Sequence, residues 1–124
     1  MFVKAIVATL AAISVVTAAP SFEKRDQSQG IATFYAANGN GACGWGIHDD
    51  EYVVAVNSAQ YDQSKCGQKI WVWNSKTERI AFPTIADECP SCNAGDIDMS
   101  GGLFGYLSNG DYDAGIFHVT WGYL

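Results

Sequence analysis

Asp87-Glu88-Cys89-Pro90-Ser91-Cys92-Asn93-Ala94-Gly95-Asp96-Ile97-Asp98-Met99-Ser100 holds three aspartates and two cysteines in fourteen residues. Strand-like apolar sequence precedes it and a short helical pattern follows. A stapled, turn-rich loop is how a rigid scaffold presents carboxylates for binding or chemistry. The plainer expectation is a surface loop whose aspartates serve as turn and helix-cap residues. The stretch alone favours the plainer expectation, and the flanking sequence shifts the balance toward a site.

On the upstream side, Arg79 to Ala86 reads as a strand, with Pro83 implying an edge position or a bulge. Before it, Gln68-Lys69-Ile70-Trp71-Val72-Trp73 is a strand with Ile70 and Val72 on one face and Trp71 and Trp73 on the other. The tryptophans either fill a core, the commoner outcome, or form a flat stacking surface. Tyr52 to Asn57 is a strand of near-continuous apolar character, and Gly30 to Tyr35 is the first strand. Asn38-Gly39-Asn40-Gly41 is a double turn signal. The glycine-rich run around Cys43 and Trp45 reads as a loop pinned to the sheet, with Trp45 as a ligand platform or a cover for a disulfide. Ser58 to Lys65 is a loop or one helical turn.

Downstream, Leu103, Phe104 and Leu107 stand at helical spacing, with Asp98 or Ser100 as the cap. Three glycines make that helix, Ser100 to Leu107, a short one. Gly115 to Trp121 is the last strand. Five or six short strands, one short helix and many glycine turns define a mainly-β, small-barrel class.

The N-terminus carries the charge, apolar core and small-residue end of a secretory signal peptide over 1–18. Lys24-Arg25 closes a propeptide, 19–25, and 26–124 is a single domain of 99 residues. That domain has four Lys and Arg against twelve Asp and Glu, a net charge of −8. Such a surface repels phosphate backbones and anionic lipids, so neither nucleic acid nor membrane is an expected partner. A monomer is expected. Four cysteines in a secreted chain of this size predict two disulfides, with three pairings open. A four-cysteine zinc site needs two close pairs, and only Cys89 and Cys92 are close, so no metal is expected.

The order of motifs can be set beside that of known proteins. Gly30-x-Ala32-Thr33-x-Tyr35, Gly41-Ala42-Cys43-Gly44, Val54-Ala55-Val56-Asn57, Cys66-Gly67, Asp87-x-Cys89-Pro90-x-Cys92, Asp96-Ile97-Asp98-x-Ser100 and Val119-Thr120-Trp121 resemble the double-psi β-barrel of expansin-like and RlpA-like proteins. Within that group the chain resembles the small secreted fungal members, the loosenins. The resemblance implies a six-stranded double-psi β-barrel, stapled by Cys43–Cys66 and then Cys89–Cys92. It also implies an open groove that binds and loosens cellulose, chitin or β-glucan of the cell wall without hydrolysis. Thr33, Tyr35, Asp87 and Asp98 match the groove residues, with Asp98 at the critical carboxylate. Trp45, Trp71 and Trp73 are candidates for stacking on sugar rings. Cys89 replaces a groove aromatic of bacterial expansins. The aromatic-lined second domain of plant-type expansins has no counterpart here.

Hydrolysis is not expected. Inverting endoglucanases on a related barrel use two carboxylates roughly 6.5–9.5 Å apart. The resemblance puts their base just after the first strand's tyrosine, where this chain has Ala36, Ala37 and Asn38. Asp98 alone as a general acid supplies about 10²–10⁴-fold. A lytic transglycosylase needing a single aspartate is the remaining enzymatic route, and no cofactor is expected. His48 and His118 lie far apart in sequence and read as structural. The competing function is a protein-binding module: a cysteine-protease inhibitor or a secreted effector. It is favoured if Asp98 is consumed as the helix cap.

Overall fold

Residues 27–124 are described by the computed structural model, and the signal and propeptide readings at 1–25 lie outside the described residues. Among the described residues nine strands and one α-helix follow one another. They are β1 (Ser28–Tyr35), β2 (Gly39–Asn40), β3 (Gly46–Ile47), β4 (Val53–Asn57), β5 (Ile70–Asn74), β6 (Arg79–Ala81), β7 (Thr84–Cys89), β8 (Ile97–Ser100), α1 (Gly101–Ser108) and β9 (Phe117–Tyr123). A 3₁₀ turn at Gln63–Lys65 occupies the segment expected as a loop or helical turn.

β2 and β3 form a small ribbon, and the other seven strands form one sheet in the order β6-β5-β9-β1-β8-β4-β7. The sheet curls until its two sides meet. The Ile70 amide donates to the Pro83 carbonyl at 3.0 Å, the Ile85 amide to the Gln68 carbonyl at 3.0 Å, and the Gly67 amide to the Ile85 carbonyl at 2.9 Å. Six strands therefore close into a barrel, with β6 flanking β5. Within the large sheet, β1–β8 and β4–β7 are parallel and the other contacts antiparallel.

Strand alternation sorts the side chains. Ala32, Val54, Ile70, Val72, Ile97 and Met99 are wholly buried inside. Leu103, Phe104 and Leu107 of α1 join the same cluster, each burial worth about 1.5–3 kcal/mol. Trp121 is wholly buried, and its indole N–H donates to the Gly95 carbonyl at 2.9 Å. Gly95 has φ +91°, and at that crossing a Cβ on Gly30 or on Gly95 would collide with the opposite backbone. Glycine is required on both sides. Buried Asn57 ties β4 to the loop before β8 through the Asp96 carbonyl at 2.9 Å. Buried Asn74 likewise ties β5 to the end of α1 through the Leu107 carbonyl at 2.9 Å. Among the described residues no buried side-chain polar atom lacks a partner.

Several expectations are corrected. The strand over Arg79 to Ala86 is two strands: the chain leaves β6 at Phe82-Pro83 and starts β7 on the far side of the sheet. Pro83 is neither within an edge strand nor in a bulge; it has no N–H to give, but its carbonyl helps close the barrel. Only the middle half of the stretch 87–100 is a loop, since Asp87 lies on β7 and Asp98 on β8, with 90–96 between them. The helix cap is Ser100, whose hydroxyl accepts from the Leu103 amide, so Asp98 is not used for capping. Trp71 and Trp73 do not fill the core, because the β-branched pair Ile70 and Val72 occupies the barrel interior.

The bridges pair Cys43 with Cys66 and Cys89 with Cys92. Their sequence separations are 23 and 3. Replacing Cys43 and Cys66 together by Ser is expected to lower the unfolding free energy by about 3 kcal/mol. The Cys89 and Cys92 double replacement should cost about 2 kcal/mol or less. Urea denaturation of the two variants measures both, and equal losses would contradict the assignment of Cys43–Cys66 as the main staple.

Candidate functional site

One extra residue in β7 sets the arrangement of the site. Val54 of β4 pairs with Ile85, yet the next pair is Ala55 with Asp87, so Ala86 is inserted as a bulge. A one-residue slip sends side chains to the opposite face, and bulges re-aim them in the same way. Ala55 consequently stands between Asp87 of β7 on one side and Asp98 of β8 on the other. Asp98 is in turn paired with Thr33 of β1. Thr33, Asp98, Ala55 and Asp87 form a row across four strands, on the face opposite buried Ile97 and Met99. Strands lie about 4.8 Å apart, so the Asp87 and Asp98 backbones, two strands apart, are separated by about 10 Å.

The two carboxylates have different surroundings. Asp87 is held by three donors: the Tyr35 hydroxyl at 2.9 Å, the Ala42 amide at 2.7 Å and its neighbour Glu88's amide at 2.9 Å. It anchors the 41–46 turn to the sheet. Asp98 receives one side-chain bond among the described residues, from the Thr33 hydroxyl at 2.8 Å. Burial pushes the Asp98 carboxyl up from its ordinary pKa, and the negative charge of Asp87 pushes the same way. The hydrogen bonds from Thr33 and the Met99 amide oppose them in part. Tyr35 is raised well above the usual phenol range by burial first, then by its bond to Asp87 and the charges of Asp87, Asp98 and Asp49. It remains a neutral donor throughout the physiological range.

Tyr35 packs on a second apolar cluster, Ala37, Ile47, Val53 and Ala86, which gives this end of the site a firm floor. Beyond Tyr35 the surface falls into a depression of about 470 Å³ lined by Phe34, Asp49, Asp50 and Tyr112 among others. Asp49 accepts from the Ala37 amide at 2.9 Å and the Gly101 amide at 2.8 Å, locking the end of β1 to the start of α1. Sequence reading passed over these four residues. The His-Asp-Asp run at 48–50 signals a polar turn, but nothing local reveals that it returns to β1. Asp96 is structural: it accepts from the Ile31 amide at 2.9 Å and the Asn93 amide at 3.2 Å.

Thr33, Tyr35, Asp87 and Asp98 are thus brought together. Trp45 sits over Gly67, next in sequence to Cys66 of the first disulfide, and is 39 % exposed. It shares the turn that Asp87 anchors. Trp71 and Trp73 lie on β5, three strands from β8 in either direction around the barrel, and do not join the row. His118 is exposed rather than packed. Among the described residues no group of three His, Cys, Asp or Glu side chains is placed to hold a metal.

The raised Asp98 pKa fixes a sign. A carboxyl that binds its proton more tightly when folded makes the protein more stable as pH falls through the folded pKa, and less stable as pH rises through it. Asp98→Asn keeps an acceptor for Thr33 and removes the charge. The variant should therefore melt higher than wild type at pH 7, with the gap closing below the ordinary carboxylate pKa. Thermal melts across pH 3–8 measure it, and a variant that melts lower at pH 7 would contradict the burial argument.

No protein-family model matches the chain, and no curated protein matches it in sequence. Solved structures do. A Streptomyces papain inhibitor is 27 % identical with a TM-score of 0.69, over 79 % of this chain and 94 % of its own. An expansin from Clavibacter michiganensis is 30 % identical with a TM-score of 0.69, over 79 % of this chain and 50 % of its own. The chain thus spans half the length of that expansin. A mutant of the same expansin was crystallised in complex with cellohexaose. Cerato-platanin 3 from M. perniciosa, at 18 % identity and a TM-score of 0.59, shares the fold. These neighbours, with the closed sheet and its two parallel contacts, identify the fold as a double-psi β-barrel, the fold that expansins, the papain inhibitor and cerato-platanins share.

Proposed function

We propose that the protein binds cell-wall polysaccharide (cellulose, chitin or β-glucan) along the outer face that carries Thr33, Asp98 and Asp87 and loosens it without hydrolysis. The observation that carries this reading is Asp98 itself. It is partly buried on an outer face, not used in the helix cap, and joined to a neighbouring hydroxyl. Such a carboxyl accepts sugar hydroxyls. Tyr35 and Thr33 shape the wall, and Trp45 borders the Asp87 end. Asp87, taken up by three donors, is committed to structure rather than to activating water. Loosening then draws on binding energy: hydroxyls that pair between polymer chains pair with the protein instead. The solved expansin complex with cellohexaose supports this class of ligand. Two disulfides suit an oxidising compartment, in keeping with a protein that works outside the cell.

Binding of wild type and Asp98→Ala to crystalline cellulose, chitin and insoluble β-glucan, with reducing sugar measured in the same tubes, tests the proposal. Wild type should bind at least one polymer and release no sugar. Asp98→Ala should bind about tenfold more weakly, the worth of one hydrogen bond to a charged group. Sugar release by wild type would overturn the non-hydrolytic part, and absence of binding would overturn the whole.

A second reading is favoured by a specific observation: the match to the papain inhibitor spans 94 % of that protein. On this reading the barrel presses its surface loops into the cleft of a cysteine protease. Titration against papain decides it. Stoichiometric inhibition at micromolar protein supports this reading, and full protease activity at that concentration removes it.

A further inference from the structure

We propose that the outer face of β5 and β9 is a second carbohydrate platform, where Trp73 and Trp71 stack on a neutral β-linked pyranose chain whose hydroxyls bond to Thr120, Gln29 and His118. The inference rests on the polysaccharide reading above for the class of ligand, and on a different part of the barrel for its site.

The register builds the surface. Trp73 pairs with Ile80 of β6 on one side and Thr120 of β9 on the other. Thr120 pairs with Gln29 of β1, and His118 with Ile31. Two positions away Trp71 pairs with Gly122, which places no side chain beside that indole. An aromatic strip therefore runs directly into a polar depression of about 670 Å³ that Gln29, Ser75, His118 and Thr120 help to line.

Two features of this face are not explained by packing. The interior side of β5 is filled by Ile70 and Val72, so the tryptophans add nothing to the core. Trp73 is 39 % exposed, beside Ile80 at 45 %, and contiguous exposed apolar area marks interaction sites. The depression is also lined by no carboxylate. Twelve acidic residues lie in 26–124, so the neutrality of this patch is a distinctive local property. A pyranose ring presents a flat C–H face and a rim of uncharged hydroxyls. An indole matches the first, and a hydroxyl, an amide and an imidazole match the second. A charged ligand would find no counter-charge in that depression.

The position has a consequence. β5 is three strands from β8 whichever way the barrel is followed, so this platform faces away from Asp98. One molecule then holds two polymer chains, or two segments of one, and its retention on a solid exceeds what either face gives alone.

The test uses the whole protein with crystalline cellulose, chitin and insoluble β-glucan, and compares wild type, Trp73→Ala, Asp98→Ala and the double variant. Each single change is expected to weaken retention about tenfold, and the double about a hundredfold, because distant independent sites add. Thr120→Arg leaves the indoles in place and puts a charge in the depression; it should match Trp73→Ala, and it carries the test if that variant does not fold. Retention unchanged in both Trp73→Ala and Thr120→Arg, with Asp98→Ala weakened, overturns the platform and leaves the first site standing. Loss confined to the Trp73 and Thr120 variants supports the platform and overturns the Asp98 site. Failure of wild type to bind any of the three polymers overturns both. Loss of papain inhibition without loss of retention would make the strip a protein contact and overturn the proposal.

Discussion

Four residues, Ile97 to Ser100, hold the half of the barrel that carries the candidate site together by pairing on both edges. Strand β8 lies parallel to β1 and antiparallel to β4, so every polar backbone group it brings into the sheet can be used. Its inward residues, Ile97 and Met99, are wholly buried, and its outward residue is Asp98. Its last residue caps α1 and reaches back to the Glu51 carbonyl. A change that displaced β8 would empty part of the core, uncap the helix and move the carboxylate together. The site is precise because it is inseparable from the fold.

The acidic residues divide by what holds them. Asp49, Asp87 and Asp96 each accept from backbone amides and fasten a turn or strand end to a neighbour. They do for the connecting segments what a longer chain would do with additional core. Asp98 accepts from a hydroxyl that can rotate, and burial makes its charge costly to keep. Among these aspartates it is the one whose partner can most readily be exchanged for a ligand's. A net charge of −8 spread over 26–124 adds long-range repulsion of anions and leaves neutral polymers unaffected.

Much of this was legible in the chain. Apolar and β-branched runs marked β1, β4, β5 and β9, and the spacing of Leu103, Phe104 and Leu107 marked α1. The grouping of Thr33, Tyr35, Asp87 and Asp98 came from the resemblance in motif order to expansin-like proteins rather than from spacing, because they are brought together only by pairing across 52 and 65 positions. β8 was not legible as a strand: four residues after a glycine turn carry too little pattern, and its stability comes from partners far away in sequence. The Ala86 bulge was hidden for the same reason, since an insertion exists only relative to a partner strand. On β5 the alternation was clear but its sense was not. Bulk argued for tryptophan inside, while the narrow barrel interior accepts Ile70 and Val72.

The way the sheet closes also bears on how the protein behaves at high concentration. An open sheet offers its outermost strands as templates on which other chains can add by backbone pairing. Here the Gly67–Ile70 and Pro83–Ile85 segments cover each other, and in the large sheet β6 is left with a free side. That strand is three residues long, begins with Arg79 and runs straight into a proline. It is too short, too charged at one end and too abruptly terminated at the other to seed a ladder. Copies of the protein can thus crowd together at high concentration without joining edge to edge.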